Sequence, residues 1–206
     1  MPQIYYCDMT KFEHFYDDIV FCLSEERRRK AERLINKNDA LLSATAGLML
    51  EKLVVEPQNK TVEYNEHGKP FFEHGPGFSI SHSWRYSVLA VSEGDIGVDI
   101  EMRETPKEAV IKRCFTEDEQ RFAKESIKNF LRIWSAKEAV LKFLGTGFSY
   151  SPKNFSVLPL DEEKEISGRK IKLFCAEING IPLTVAYCGN DYDFEIKEFQ
   201  PEDLLY

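Results

Sequence analysis

The sequence has no cysteine pair at two-residue spacing. Its five cysteines, Cys7, Cys22, Cys114, Cys175 and Cys188, are odd in number and scattered, which argues against a zinc finger or a disulfide framework and for a reducing compartment. There is no Gly-x-x-x-x-Gly-Lys run, so a P-loop is excluded, and no Gly-x-Ser-x-Gly elbow of the serine hydrolases. Long apolar runs are also missing: the longest, Ala40 to Leu50, is too short to span a bilayer. The first fifteen residues lack a charged start followed by an apolar core, so no secretory leader is expected. Positive charge is in deficit. With 27 basic against 35 acidic residues, the formal net charge of −8 speaks against general nucleic-acid binding. A soluble, cytoplasmic chain with no membrane or nucleic-acid partner is expected.

What is present suffices for a core. The chain has 206 residues, 43% hydrophobic and 30% charged, enough for one large domain or two small ones packed together. Charge is unevenly placed. Arg27, Arg28, Arg29, Lys30, Arg33 and Lys37 face only Glu32 within their stretch, while the tail after Asn190 holds six acids against Lys197. The basic cluster fits either an anion site or a solvated helix face.

Local signals outline the elements. Ser24 before Glu25 and Glu26 opens a helix to about Ile35. Asp39 is a cap for a second helix through Leu53, ended by Pro57. Thr61 to Tyr64, Phe78 to Ser81, Tyr86 to Ser92 and Ile96 to Glu101 read as strands. Thr116 with Glu119 forms a capping box, and a long helix over Lys128 to Leu144 stops at Gly145. Lys170 to Phe174, Leu183 to Tyr187 and Phe194 to Phe199 read as strands. Strands grouped rather than alternating with helices favour an α+β fold, with a break near Pro106.

Three groups carry chemistry. In Gly97-Val98-Asp99-Ile100-Glu101, period two sends Val98 and Ile100 to the core and puts Asp99 and Glu101 on one face, with Cα atoms about 6.6 Å apart. Paired carboxylates suit a hard cation such as magnesium, although a strand end with its polar face in water has the same pattern. In the long helix, Phe130, Trp134, Leu141 and Leu144 form an apolar stripe. Lys137 interrupts it, where a cation needs an anion or a route to solvent. Glu138 and Lys142 are neighbours one turn apart and would also suit an exposed ion pair. Finally, Gly68-Lys69-Pro70 sets a cation in a turn, and Ser81, His82 and Ser83 at a strand end offer donors to phosphate oxygens.

Taken in order, Gly68-Lys69-Pro70, Phe78-Ser79-Ile80-Ser81-His82-Ser83, Gly97-Val98-Asp99-Ile100-Glu101 and Trp134-x-x-Lys137-Glu138-Ala139-x-x-Lys142 resemble the signatures of the phosphopantetheinyl transferases, in the larger, surfactin-synthetase-activating type. The resemblance implies two similar α+β subdomains, 1–103 and 104–206, related by a pseudo-two-fold axis with the active site in the cleft between them. It implies transfer of 4′-phosphopantetheine from coenzyme A to a serine of an acyl, polyketide or peptidyl carrier protein, with magnesium, by a chain for which a monomer suffices. Asp99, Glu101 and Glu138 would hold magnesium. His82, Ser81, Lys69 and Pro70 would contact coenzyme A, together with Lys137 and Lys142. Arg27 and Lys30 would grip its 3′-phosphate, and Glu138 and Lys142 would act in catalysis. A phosphate-ester hydrolase using the same carboxylates, or a non-catalytic module binding coenzyme A or carriers, are the alternatives.

Overall fold

The computed structural model describes residues 2–56, 61–189 and 194–205. Pro57, the expected helix stop, lies outside them. The chain opens with β1 (Gln3–Asp8), then α1 (Tyr16–Cys22), α2 (Glu25–Glu32) and α3 (Lys37–Leu50), which widens into a π turn over Glu51–Val55. A short hairpin, β2 (Glu63–Tyr64) and β3 (Pro70–Phe71), precedes β4 (Gly77–Ser83), β5 (Tyr86–Ser92) and β6 (Ile96–Ile100). Then come α4 (Glu108–Cys114), α5 (Glu117–Glu125) and α6 (Ile127–Leu144), followed by β7 (Glu163–Ile166), β8 (Arg169–Ile178), β9 (Ile181–Tyr187), β10 (Glu195–Glu198) and α7 (Glu202–Leu205).

The fold is α+β. One sheet has the order β10-β1-β5-β4 and the other β6-β9-β8-β7. Alternation sorts each strand's side chains to two faces. Ile4, Val88 and Ala90 of the first sheet meet Ile96, Val98, Ile100, Leu183 and Val185 of the second in a core between them. On the outer faces, Leu89 and Phe78 pack with α3 residues such as Leu48, and Leu173 and Ala186 pack with α6 residues such as Val140. The layers therefore run helix, sheet, sheet, helix. The expected boundary at 103/104 does not separate the sheets. β6 precedes it yet pairs with β9, and β10 follows it yet lies parallel to β1.

Several local signals hold. Thr116 and Glu119 form the capping box that opens α5. Gly145, at φ +71°, takes the left-handed conformation that ends α6. Asn36, not Asp39, caps α3, its side chain accepting from Asn38 N and Asp39 N. The strand β1 and helix α4 were not expected.

One contact sets the spacing of the second layer pair. A Cβ placed on Gly97 of β6 would collide with the carbonyl oxygen of Ala139 and the backbone nitrogen of Phe143. Strand and helix thus touch backbone to backbone, and only glycine fits. Gly97→Ala should force β6 and α6 apart and lower the urea midpoint by the equivalent of about 3 kcal/mol. An unchanged midpoint would mean that the helix rides further from the strand than this contact requires.

Candidate active site

A cavity of about 300 Å³ opens where α2, α3, β4 and α6 converge. At one end stand Arg27 and Lys30 of α2, one turn apart. Arg27 is buried, and its Nη2 has no hydrogen-bond partner. Burial, and then the Arg27 charge, hold the Lys30 pKa below the ordinary lysine value. The two arginines between them are spent elsewhere: Arg28 donates to the carbonyls of Val20 and Phe21, and Arg29 pairs with Glu25. Two adjacent cations, one with an unsatisfied buried donor, suit an anion. His82 on β4 lines the same cavity. The protein around its ring, and then the Lys142 charge, hold its pKa below the usual histidine value.

Glu138 and Lys142 of α6 line the cavity too, and behind them, outside the lining, stand Asp99 and Glu101. Asp99 Oδ1 accepts from Ser81 Oγ and from Lys142 Nζ, each at 2.8 Å, while Asp99 Oδ2 is buried without a partner. Glu101 accepts from Trp134 Nε1 at 3.1 Å and lies 3.0 Å from Arg103 Nε. Burial, and then the Asp99 charge, raise its pKa. Glu138 is pushed up to about 7 by burial, then by the Asp99 charge, with Glu101 adding to it and Lys142 opposing. Among the described residues no three potential ligands are gathered tightly enough to hold a metal ion as they stand. The Lys142 ammonium sits against Asp99 instead. Even so, an orphaned Asp99 oxygen beside two carboxyls with raised pKa values is the electrostatic strain that a cation relieves, so the donor set fits a hard metal.

Three expectations change. Lys137 does not reach the cavity. One residue along a helix turns the side chain by about 100°, so with Glu138 facing β6, Lys137 faces α5. It is fully buried, pairs with Glu119 Oε2 at 2.7 Å, and donates to the carbonyls of Pro152 and Phe155. Glu119 also accepts from Thr116 N and Val157 N. Ser81 is buried and bonded to Asp99, not open to a ligand. Lys69 lines the cavity along with Pro70, but its ammonium donates to the carbonyls of Ile96 and Phe143, tying β6 to the end of α6. Arg103 gave no sequence signal. Trp134 did, as an apolar stripe residue, but its indole N–H was not connected with Glu101. Phe148, exposed at the cavity mouth and stacked on Trp134, follows the α6 stop in a loop without periodicity.

Removing one partner of a buried pair strands the other charge. Lys137→Met should therefore cost about 3–5 kcal/mol of stability. Adding Glu119→Gln should recover much of that loss, a coupling that a double-mutant cycle of urea midpoints would read. Additive losses would show that the two groups do not depend on one another.

Among the described residues no helix is long and apolar enough to cross a membrane. The family model of the 4′-phosphopantetheinyl transferase superfamily matches residues 95–192, from β6 through α6 and β9. The chain is 28% identical over 151 residues to the 4′-phosphopantetheinyl transferase gsp of Aneurinibacillus migulanus, covering 68% of this chain and 63% of that relative. It is 29% identical over 174 residues to the 4′-phosphopantetheinyl transferase ffp of Bacillus subtilis, covering 79% and 77%. It is 31% identical over 147 residues to the 4′-phosphopantetheinyl transferase Sfp of Bacillus subtilis strain 168, covering 66% of each. With the cation end, the carboxylate end and these relatives together, the chain belongs to the 4′-phosphopantetheinyl transferase superfamily.

Proposed function

We propose that this protein transfers 4′-phosphopantetheine from coenzyme A to a serine of an apo acyl, polyketide or peptidyl carrier protein, releases 3′,5′-adenosine bisphosphate, and requires magnesium. The observation that carries this reading is the polarity of the cavity. Arg27, whose buried Nη2 has no partner, lines it together with Lys30, and so do Glu138 and Lys142, the latter bonded to Asp99 behind it. That matches a substrate with a phosphate at one end and a diphosphate at the other. The names of the relatives support the same transfer. The two helix-on-sheet halves are read as pseudo-symmetric subdomains of a cytoplasmic monomer.

Asp99, Glu101 and Glu138 would hold magnesium, which when bound neutralises charge on the diphosphate. The protein does the rest. Arg27, Lys30 and His82 bind the 3′-phosphate end. Lys142, already beside Asp99, is placed to neutralise charge that builds on the diphosphate as the bond breaks. Glu138 takes the proton of the carrier serine.

Mass spectrometry of an apo carrier incubated with this protein, coenzyme A and magnesium separates the alternatives. A gain of one phosphopantetheinyl group on a serine is expected. Cleavage of coenzyme A without that gain would mark a hydrolase, and neither event would mark a binding module. Asp99→Asn should raise the magnesium needed for half-maximal transfer, and full activity in chelator would overturn the metal requirement.

Glu138 gives a second test. Its folded-state pKa of about 7 lies above the ordinary value of 4.5. Stability linked to its protonation is therefore complete below about pH 4.5 and is lost as pH rises through about 7. Glu138→Gln should remove that loss and stabilise the protein at pH 8 by roughly 1–3 kcal/mol. Transfer should slow by about a hundredfold or more. A variant as fast as the parent would exclude Glu138 as the base.

A further inference from the structure

β4 and β6 are edge strands of different sheets, and they lie side by side without a backbone ladder. Period two gives β6 two sets of amides. Those of Gly97, Asp99 and Glu101 point toward β9, and Glu101 N donates to Pro182 O. Those of Val98 and Ile100, and of Met102 just beyond, point to the free edge. An edge amide inside a protein needs an acceptor. β4 supplies three at the matching period: Val98 N donates to Ser79 Oγ at 3.0 Å, Ile100 N to Ser81 Oγ at 3.4 Å, and Met102 N to Ser83 Oγ at 3.0 Å.

A serine hydroxyl that accepts an amide still has one proton to place. Ser81 gives its proton to Asp99 Oδ1 at 2.8 Å, and Ser83 faces Glu101 Oε1 at 3.5 Å. The third rung, at Ser79, has Gly97 where the carboxylate would stand, and there α6 fills the space. The stitching that closes the sheet seam is therefore also what aims the carboxylates. Glu101 has other anchors in Trp134 and Arg103. Asp99 has only Ser81 and Lys142 on Oδ1, with Oδ2 buried and bare.

Resting on the function proposed above, we infer that Ser81 is a positioning residue for the metal-holding carboxylate of Asp99. Held by the Ile100 amide, its hydroxyl fixes Oδ1 and leaves Oδ2 without a partner, the oxygen that would be available to a cation. It does so still when Lys142 turns to the diphosphate. The serines at alternate positions of this strand are thus not phosphate ligands. His82, on the opposite face of β4, lines the cavity.

Calorimetric titration of manganese into the full-length protein saturated with coenzyme A tests this without recourse to activity. Ser81→Ala should weaken manganese binding about tenfold, as lost partners of metal ligands do. Ser81→Thr, which keeps the hydroxyl, should restore it to near the parent value. Ser79→Ala removes an equivalent amide acceptor with no carboxylate behind it. It should lower the melting temperature and leave manganese affinity alone. If Ser81→Ala does not fold, Ser81→Cys, similar in size and a weak donor, is judged by the same criterion. Manganese binding by the Ser81 variant equal to the parent, while Asp99→Asn is weakened, would overturn the positioning role and leave the proposed function standing. So would equal weakening by Ser79→Ala and Ser81→Ala, since the effect would then be general to the seam. No manganese binding by the parent, or none lost in Asp99→Asn, would overturn the metal reading and this inference with it.

Discussion

The contact of β6 with α6 at Gly97 is the constraint on which the site depends. With a side chain there, strand and helix would sit a side chain apart. Without one, Glu138 and Lys142, each just before a residue of α6 that touches Gly97, come close to the strand, and the Lys142 ammonium reaches both Val98 O and Asp99 Oδ1. Lys69 reinforces the same junction from the β2–β3 hairpin, bonding one carbonyl on β6 and one on α6. A candidate site spread over two elements is held by backbone proximity, which no rotamer change can relax.

Charge is organised by where it is left unsatisfied. Arg27 at the cation end and Asp99 Oδ2 at the carboxylate end each leave a buried polar atom bare. Buried polar groups are otherwise nearly always partnered. Among the described residues the one other such atom is Arg103 Nε, which lies 3.0 Å from Glu101. Glu119 with Lys137 shows the rule in its strict form: an ion pair closed off from water, with amides and carbonyls meeting what remains. Two neighbouring residues of α6 thus illustrate opposite uses of a buried charge. Lys137 is saturated and structural. Glu138 is under-compensated, and its carboxyl is pushed up to about 7. Retaining it costs folding stability at neutral pH, the kind of local strain found where chemistry is done.

Much of this is legible in the order of residues alone. The capping box at Thr116, the stop at Gly145, the strands around Tyr86 to Ser92 and Ile96 to Glu101, and the shared face of Asp99 and Glu101 follow from spacing along a single element. Local rules decide these because the partners lie within a few residues. Pairing over distance is not legible in the same way. β10 lies beside β1, more than 190 residues earlier, and β6 leaves the half in which it was expected, because a strand's neighbour is chosen by the sheet rather than by its own sequence. The same limit misplaced Lys137. Periodicity showed that it faces inward, but its partner, Glu119, comes from another helix.

The sequence by itself determined which residue types were available and on which face of each strand or helix they stand, since backbone period and caps are local properties. The tertiary structure alone decided which faces meet. It turned Ser81 from a phosphate donor into the support of Asp99. It turned Arg27 and Lys30 to the cavity and left Arg28 to backbone carbonyls and Arg29 to Glu25, and it assigned Lys137 to the core and Glu138 to the site. The physical reason is that hydrogen bonds and charge pairs depend on distance in space, and packing of the four layers, not order along the chain, sets those distances.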